Sequence, residues 1–318
     1  MFDVLCIGET AVDVITRTVS ECAFSNVCTP VDDILIQTGG DAMNNAVDLA
    51  RLGNRVCYAG RIGADAGGQL VLDTLKSAGV DTSHVVRSSL PHTKVNLLID
   101  AHGDRAFFYS GTTSREFTAG DVDPSLLRSC RIVQVGGAFH LPGFDGEGTA
   151  ALFALAREAG AVTSMDVTND FTGRWDEIIR PCYQFLDYFL PSVDQAVLIS
   201  GREDPWDIAG FFLDRGVGHV AVKLGGEGSF YRSRETAFYC GTYDVPVVET
   251  TGAGDAFCAG FLTALLHGQS AEECVISGTA ASAQVIQAVG ASSGMCSYSA
   301  LQSFIEKKQA PAIRYVSR

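Results

Sequence analysis

The feature that most constrains the fold is an alternation that runs along almost the whole chain. Short apolar runs are followed by amphipathic segments of helical length, which is the pattern of parallel strands joined by crossover helices. The pattern predicts strands at residues 4–7, 55–58, 132–135, 162–165, 188–190 and 220–223. It predicts helices at residues 42–52, 68–78, 149–158, 253–266 and 272–289. The fold class is therefore α/β.

Two regions depart from this alternation, residues 11–38 and residues 93–109. Their polar and apolar residues alternate one by one, as in strands that are exposed on one face. We expect a small antiparallel β-appendage over one edge of the main sheet. Because α/β folds place their ligands at the carboxyl ends of parallel strands, this appendage is a candidate lid. With no internal repeat or interdomain linker, residues 1–318 are expected to form one domain with the two lid segments inserted.

Charge and composition exclude several classes of partner. The chain has 23 Lys and Arg against 37 Asp and Glu, a formal net charge of −14. Such a protein repels phosphate backbones and anionic lipid, so we expect neither nucleic acid nor a membrane as partner. No apolar stretch approaches the ~18 residues that cross a bilayer. The ten cysteines include no C-x-x-C pair, which predicts reduced, mostly buried thiols and a cytoplasmic protein.

The most informative segment is residues 249–257, Glu-Thr-Thr-Gly-Ala-Gly-Asp-Ala-Phe, which opens the predicted helix 253–266. Its small residues let backbone amides converge on an anion, and the positive end of the helix dipole points the same way. The turn therefore predicts a phosphate site. Asp255 lies in the first helical turn, where a carboxylate could accept the proton of a hydroxyl that attacks phosphorus. The alternative is a helix-capping Asp, although capping does not require the two neighbouring glycines.

A second glycine-rich turn, residues 39–44, has the sequence Gly-Gly-Asp-Ala-Met-Asn and precedes a predicted helix. Its glycines would let a polyhydroxyl ligand approach the backbone, and Asn44 offers a donor and an acceptor to vicinal hydroxyls. Asp13, five residues after Gly8, could hold two hydroxyls, although a lone Asp is more often a solvated loop residue. A third turn, residues 223–228, is either a plain glycine hairpin or a close approach to a nucleotide.

Other catalytic motifs are absent or incomplete. Residues 290–294 match G-x-S-x-G, but that motif needs a preceding strand and a later His, whereas here a predicted helix precedes it and the last His is His267. The chain has no P-loop, no H-E-x-x-H and no G-x-G-x-x-G after the first strand. An esterase, a P-loop enzyme, a zincin and a Rossmann dehydrogenase all lose support.

Taken together, the turn at residues 39–44 and the segment that begins at Glu249 resemble the ribokinase-like (PfkB) carbohydrate kinases, over nearly the whole chain. The resemblance implies a three-layer α/β/α domain with a mostly parallel central sheet and a small antiparallel β-lid over the sugar. It implies phosphorylation of a sugar or sugar-acid hydroxyl by ATP with Mg²⁺. Asp255 would be the general base, and the backbone amides of Gly252, Ala253 and Gly254 would form the anion hole.

The resemblance also implies which residues bind the ligands. The sugar would be held by Asp13, Gly39, Gly40, Asp41 and Asn44. The nucleotide would lie along Lys223, Gly225, Gly226, Gly228 and Thr251. Glu249 and Thr251 are candidates for a monovalent cation, K⁺. Because lid strands often form the dimer contact in this family, a homodimer through the lid is expected.

Departures from the family pattern leave alternatives open. Asp41 stands where ribokinases carry Lys, and Ala11 where they carry Asn, so ribose is not the favoured substrate, and the turn looks more like that of some 2-keto-3-deoxygluconate kinases. The family's N-x-x-E element appears here as residues 192–195, Ser-Val-Asp-Gln, and Glu249 replaces the more usual Asp. One alternative is a nucleoside kinase, kept open by the aromatic run at residues 107–109. Another is a catalytically silent regulator that binds sugar or nucleotide.

Overall fold

The secondary structure follows the predicted alternation and adds elements at one edge of the sheet. A computed structural model describes residues 1–19, 28–102 and 104–317. The strands within these residues are β1 Phe2–Gly8, β2 Ala11–Arg17, β3 Asp33–Gly39, β4 Val56–Ala59, β5 Arg61–Ile62, β6 Val86–Arg87, β7 Lys94–Ile99, β8 Arg105–Ser110, β9 Cys130–Ala138, β10 Val162–Val167, β11 Tyr188–Phe189, β12 His219–Lys223, β13 Ser229–Arg232, β14 Ala237–Cys240 and β15 Ile313–Tyr315. The α-helices are α1 Asp41–Arg51, α2 Ala66–Ser77, α3 Thr112–Glu116, α4 Glu147–Glu158, α5 Asp176–Ile179, α6 Val193–Ser200, α7 Pro205–Leu213, α8 Ala253–Leu266, α9 Ala271–Val285 and α10 Tyr298–Lys307.

The main sheet has nine strands in the order β15-β14-β13-β12-β11-β10-β9-β1-β4. The strands from β4 to β12 are parallel, and β13, β14 and β15 continue the sheet antiparallel. Both faces are covered. In β1, Val4 and Cys6 pack with α1, α8 and α9, whereas Leu5 and Ile7 pack with α4, α6 and α7. A strand buried on both faces is continuously apolar, which is why the run in β1 predicted a parallel sheet.

A smaller sheet forms the lid, with strand order β3-β2-β7-β8. Its strands coincide to within one residue with the two segments predicted for it, although residues 20–27 and Gly103 lie outside the described residues. The β2–β3 and β7–β8 pairs are antiparallel as predicted, whereas β2 pairs parallel with β7. These two strands are separated by a long connection that includes α1 and α2, and such a connection can return the chain in the same direction.

The predicted set of helices needs correction. Helices α3, α5, α6, α7 and α10 were not predicted, and the predicted helix 272–289 ends at Val285. Helix α7 is short and largely apolar, so it shows little periodicity; its only clear signal is the N-cap, where Asp204 accepts from the N–H of Trp206 ahead of Pro205 at the first turn. Of the cysteines in the described residues, six are buried and none is paired. Within the same residues, no helix has the length and apolar character needed to span a bilayer.

Candidate active site

Polar side chains from distant parts of the chain converge at the carboxyl ends of the parallel strands. Glu9 follows β1, Asp166 lies near the end of β10, and Lys223 is the last residue of β12. Helices α1 and α8 both begin at this end, so the two glycine-rich turns at residues 39–44 and 249–257 meet there. This is the edge of the sheet at which the lid was predicted.

Asp255 is held by two amides of α1. Asn44 Nδ2 donates to Asp255 Oδ2 at 2.8 Å, and Asn45 Nδ2 donates to Asp255 Oδ1 at 3.3 Å. All three side chains are buried. The alternative that Asp255 merely caps its helix is wrong, since Gly252 is the N-cap residue and no side chain caps α8. The carboxylate is instead oriented from α1, the helix that follows the other glycine-rich turn.

The electrostatic surroundings of Asp255 favour its protonated form. Burial raises its pKa well above the usual range, and the carboxylates of Asp41 and Asp166 add to the effect. The hydrogen bond from Asn44 and the charge of Lys223 oppose it. A carboxyl whose pKa is raised in this way is a stronger base than an exposed aspartate, which is the property required of a general base.

The turn before α8 presents backbone amides beside a buried cation. Gly252 has φ of 78°, and a Cβ there would lie 2.0 Å from the carbonyl oxygen of Ala291, so only glycine fits. The N–H of Ala253 donates to the carbonyl of Thr250 at 3.2 Å. For the N–H groups of Gly252 and Gly254, no acceptor is found within the described residues. Within that part of the chain, these two amides have a free donor, whereas that of Ala253 also takes part in the turn, and the three-amide anion hole stays a prediction.

Lys223 brings a positive charge to the same turn. Its Nζ lies 2.7 Å from Asp166 Oδ2 in a buried ion pair, and burial is outweighed by the charge of Asp166, so the pKa of Lys223 is raised. A Cβ on Gly254 would lie 3.2 Å from that Nζ. The glycine therefore lets the lysine reach the helix N-terminus, where its charge and the helix dipole act together.

A cavity of about 620 Å³ extends from this turn. Predicted nucleotide residues Lys223, Gly225, Gly226 and Gly228 line it, as do Ala253 and Gly254. The turn after β12 is thus both a hairpin, with a 3₁₀ turn at Gly225–Glu227, and a wall of the cavity. Thr251 is not in the lining; Thr250 is, together with Asp194 of the altered segment 192–195.

Asp13 and the turn at residues 39–40 lie on the lid side of the site. Asp13 pairs with Gln37 across β2 and β3, and a Cβ on Gly39 would lie 2.2 Å from Asp13 Oδ2. Gly40 has φ of 95°, and a Cβ there would lie 2.6 Å from the carbonyl oxygen of Glu9. Burial and the charges of Glu9 and Glu249 raise the pKa of Asp13 to about 7. The predicted sugar residues are therefore brought together with Asp41, which begins α1.

A polar cluster around Glu9 was not predicted. Its buried carboxylate accepts hydrogen bonds from Tyr109 Oη and, at 2.8 Å, from Ser114 Oγ. The same carboxylate forms an ion pair with His140 Nδ1 at 2.7 Å. The hydrogen bond and charge of Glu9 raise the pKa of His140 against the effect of burial. His140 also stacks on Phe171 with 4.8 Å between ring centroids. The sequence signal that could have revealed this cluster is Glu9, a charged residue directly after the apolar strand β1.

Glu249 connects the lid to the turn before α8. Its carboxylate accepts from Arg17 Nη2 at 3.2 Å, from Thr251 Oγ1 at 2.8 Å and from the N–H of Gly290 at 3.1 Å. Both oxygens are thus already hydrogen-bonded. Within the described residues, no group of three or more His, Cys, Asp and Glu side chains could hold a metal ion.

A lid over the carboxyl ends of a parallel sheet, with a carboxylate at a helix N-terminus and a cavity beside it, is the layout of a phosphotransferase of the α/β class. The chain belongs to the pfkB family of carbohydrate kinases, which matches residues 1–297. It is therefore a carbohydrate kinase.

Individual relatives agree with this family. The chain is 30% identical over 288 residues to a 2-dehydro-3-deoxygluconokinase of Bacillus subtilis, covering 85% of this chain and 87% of the relative. Among solved structures, a ribokinase from Thermotoga maritima superposes with a TM-score of 0.84 at 24% identity, covering 96% of this chain and 100% of that one. A putative ribokinase II from E. coli, in complex with ATP and Mg²⁺, superposes with a TM-score of 0.81 at 21% identity, covering 96% of this chain and 100% of that one. These likenesses show the ribokinase-like α/β fold.

Proposed function

We propose that this protein transfers the γ-phosphoryl group of ATP to a sugar hydroxyl, with Asp255 as the general base. The observation that carries the proposal is the position of Asp255. It lies between the cavity lined by the glycine turns and the carboxylates under the lid, and two amides from α1 orient it. A base is useful only where the two substrates meet, and this is such a place.

In the proposed reaction, Asp255 accepts the proton of the sugar hydroxyl as its oxygen bonds to the γ-phosphorus. The bond between the γ-phosphorus and the bridging oxygen breaks, and ADP leaves with that electron pair. The products are a sugar phosphate, ADP and a proton. Because phosphoryl transfer passes through a loose transition state, positioning and charge stabilisation supply most of the rate increase.

The amides of Gly252 and Gly254 supply donors to the transferred group. The helix dipole of α8 and the ammonium of Lys223 add positive charge at the same point. Backbone donors that are held in a turn need no reorganisation when negative charge develops. This explains how a chain with a net charge of −14 can bind a polyanion: the phosphates meet local positive groups and not the average charge.

ATP would be accompanied by Mg²⁺, which would supply positive charge to its phosphates. Mg²⁺ keeps several waters and needs only one or two protein carboxylates, so the exposed Asp194 in the cavity wall would be the residue to hold it. The prediction of a monovalent cation at Glu249 and Thr251 stays a prediction. A cation there would have to share oxygens that already accept from Arg17, Thr251 and Gly290.

We further propose one kinase domain with an inserted lid that dimerises through the outer face of that lid. Support comes from Ile34, Ile36 and Phe108, which are 60%, 65% and 58% exposed. Ile36 and Phe108 lie in one row across the lid, because the register pairs Ile36 with Val14, Val14 with Asn96 and Asn96 with Phe108. Exposed apolar patches of this kind mark contact surfaces. A cytoplasmic location stays a prediction.

The proposal is tested by measuring ADP release with ATP and Mg²⁺ over a panel of sugars, sugar acids and nucleosides, with and without K⁺. Sugar-dependent ADP release is the expected result. Turnover on nucleosides alone would favour the nucleoside kinase. The positions of the aromatic residues 107–109 weaken that alternative, because only Tyr109 joins the Glu9 cluster while Phe107 and Phe108 are exposed. ATP binding without turnover on any acceptor would favour a silent regulator.

A further inference from the structure

Two carboxylates on the acceptor side of the site have no cationic side chain paired with them, although the charges of His140 and Lys223 lower the pKa of Asp41 in part. Asp13 and Asp41 are half-buried, and neither side chain has a hydrogen-bond or ion-pair partner within residues 1–19, 28–102 and 104–317. Burial raises the pKa of both to about 7, and in each case Glu9 contributes by charge repulsion. The charges of Asp41 and Asp166 in turn raise the pKa of Asp255. The acceptor therefore enters a space bounded by mutually repelling carboxylates.

Among the side chains that the structure describes, the cations near this space each belong to a carboxylate. Lys223 pairs with Asp166 at 2.7 Å, Arg17 pairs with Glu249 at 3.2 Å, and His140 pairs with Glu9 at 2.7 Å. These three pairs are close to neutral, so the charges of Asp13 and Asp41 remain in excess once the pH is above about 7.

Two other sources of positive charge need consideration. The stretch at residues 20–27 contains no Lys or Arg in its sequence. Arg115 is exposed on α3 and lowers the pKa of Tyr109, but it is not among the charges that affect Asp13 or Asp41. Among the arginines whose side chains the structure describes, Arg115 is therefore the guanidinium that an experiment must examine.

The chemistry of these groups selects the ligand. An ionised carboxylate only accepts hydrogen bonds, so Asp13 and Asp41 require donors, which sugar hydroxyls supply. A carboxylate on the ligand would bring no donor and would add repulsion. His140 fits the same ligand: its Nε2 is buried without a partner, on a side chain only 10% exposed, and a hydroxyl oxygen can accept from it. We infer that the acceptor is an uncharged polyhydroxyl sugar and not a sugar acid.

This inference rests on the proposed function, since it concerns the acceptor of the same reaction. It separates the chain from the Bacillus subtilis relative, whose name specifies a gluconate derivative and hence a carboxylate. At 30% identity the two proteins share a fold and a reaction class, while the charges beside the acceptor can differ.

The test compares acceptors that differ only in charge. 2-Dehydro-3-deoxygluconate and 3-deoxyfructose are identical except for a carboxylate or a hydroxymethyl group at C1, and gluconate, fructose, glucose and ribose extend the panel. The kcat/KM of the full-length protein is measured for each at about pH 8, where Asp13 and Asp41 are mostly ionised. We expect the best neutral sugar to exceed the best acid by at least tenfold. A sugar acid as the best acceptor would overturn the inference while leaving the kinase intact; no sugar-dependent ADP release at all would instead contradict the proposed function.

Variants show whether charge is the cause. Asp13→Asn and Asp41→Asn each keep the shape but remove a charge, so each should narrow the ratio of neutral to acid kcat/KM by several-fold, even where absolute rates fall. Asp214→Asn, which changes an exposed carboxylate directly after the last residue of α7, is the matched control and should leave the ratio unchanged. An unchanged ratio in both site variants would overturn the inference. Loss of turnover on sugar acids in Arg115→Gln would also overturn it, because that result would show that the Arg115 guanidinium binds the carboxylate of the ligand.

Discussion

The side-chain amide of Asn44 donates a 2.8 Å hydrogen bond to the carboxylate of Asp255, although 211 residues separate the two. The bond joins the glycine-rich turn at residues 39–44 to the turn that begins α8. It also lowers the pKa of a carboxyl that burial and neighbouring charges would otherwise raise further. Asn44 therefore orients the carboxylate proposed as the base and opposes its protonation.

Asp255→Asn should lower kcat by about a hundredfold or more, the scale of a lost general base, and leave ATP affinity nearly unchanged. The substitution preserves shape, and an asparagine cannot accept the hydroxyl proton. Steady-state kinetics and calorimetric titration with ATP provide the measurements, with Asp214→Asn as the control. Near-normal kcat in Asp255→Asn would show that another group is the base.

Asp41→Asn should move the acid limb of the kcat/KM profile to lower pH. Activity requires ionised Asp255, so the rate falls as the pH drops below its pKa. Removing the negative charge of Asp41 removes one cause that raises this pKa, and the limb must therefore shift down. Asp145→Asn is a matched control, because Asp145 is also half-buried with its pKa raised to about 7 but is not among the charges that act on Asp255. If the acid limb of the kcat/KM profile moved to higher pH, or moved equally in both variants, the assignment of that limb to Asp255 would be wrong.

The parts of the fold that sequence predicted are those encoded locally. The apolar run of β1 is buried on both faces, and the start of α8 at Ala253 follows from the small residues before it. The acceptor-side cluster could not be predicted in this way. Glu9 and His140 are isolated polar residues after strands, and 131 positions separate them; only the pairing of β1 with β9 brings them together.

Asp166 shows a second limit of sequence reasoning. It lies in the buried strand β10, and a lone carboxylate in a buried strand signals a partner without naming it. That partner, Lys223, was predicted only as a nucleotide residue, because nothing in the sequence shows that β10 and β12 lie one strand apart, on either side of β11. The nucleotide turn and the anion site therefore share a cation whose role depends on the strand order.

Lys223→Met should destabilise the protein by about 3–5 kcal/mol, because it leaves the carboxylate of Asp166 buried without its partner. The double variant Lys223→Met with Asp166→Asn removes the uncompensated charge and should recover part of this loss. Denaturant unfolding monitored by fluorescence measures both. If the single variant were as stable as the natural protein, the pair would contribute nothing to folding.

Asp13→Asn should raise the melting temperature at pH 8 and leave it unchanged at pH 4. The folded-state pKa of Asp13 is raised to about 7 from an unfolded value near 3.9, so its protonated form stabilises the fold at low pH. That stabilisation is lost as the pH rises through about 7, where an ionised Asp13 is unfavourable and an asparagine is not. Each kcal/mol should shift the melting temperature by about 2–4 °C. A variant that is less stable at pH 8 would show that Asp13 is paired in solution.

Ile36→Lys should convert a dimer into a monomer without unfolding it. Ile36 is 65% exposed on the outer face of the lid, so a lysine there is harmless to one chain but places a charge in the proposed contact. Leu198→Lys, at a 54% exposed position on α6, is the matched control and should remain dimeric. Sedimentation equilibrium measures the mass, and circular dichroism confirms folding. Dissociation in the control alone would place the contact on α6, and a natural protein that is monomeric at every concentration would remove the lid dimer altogether.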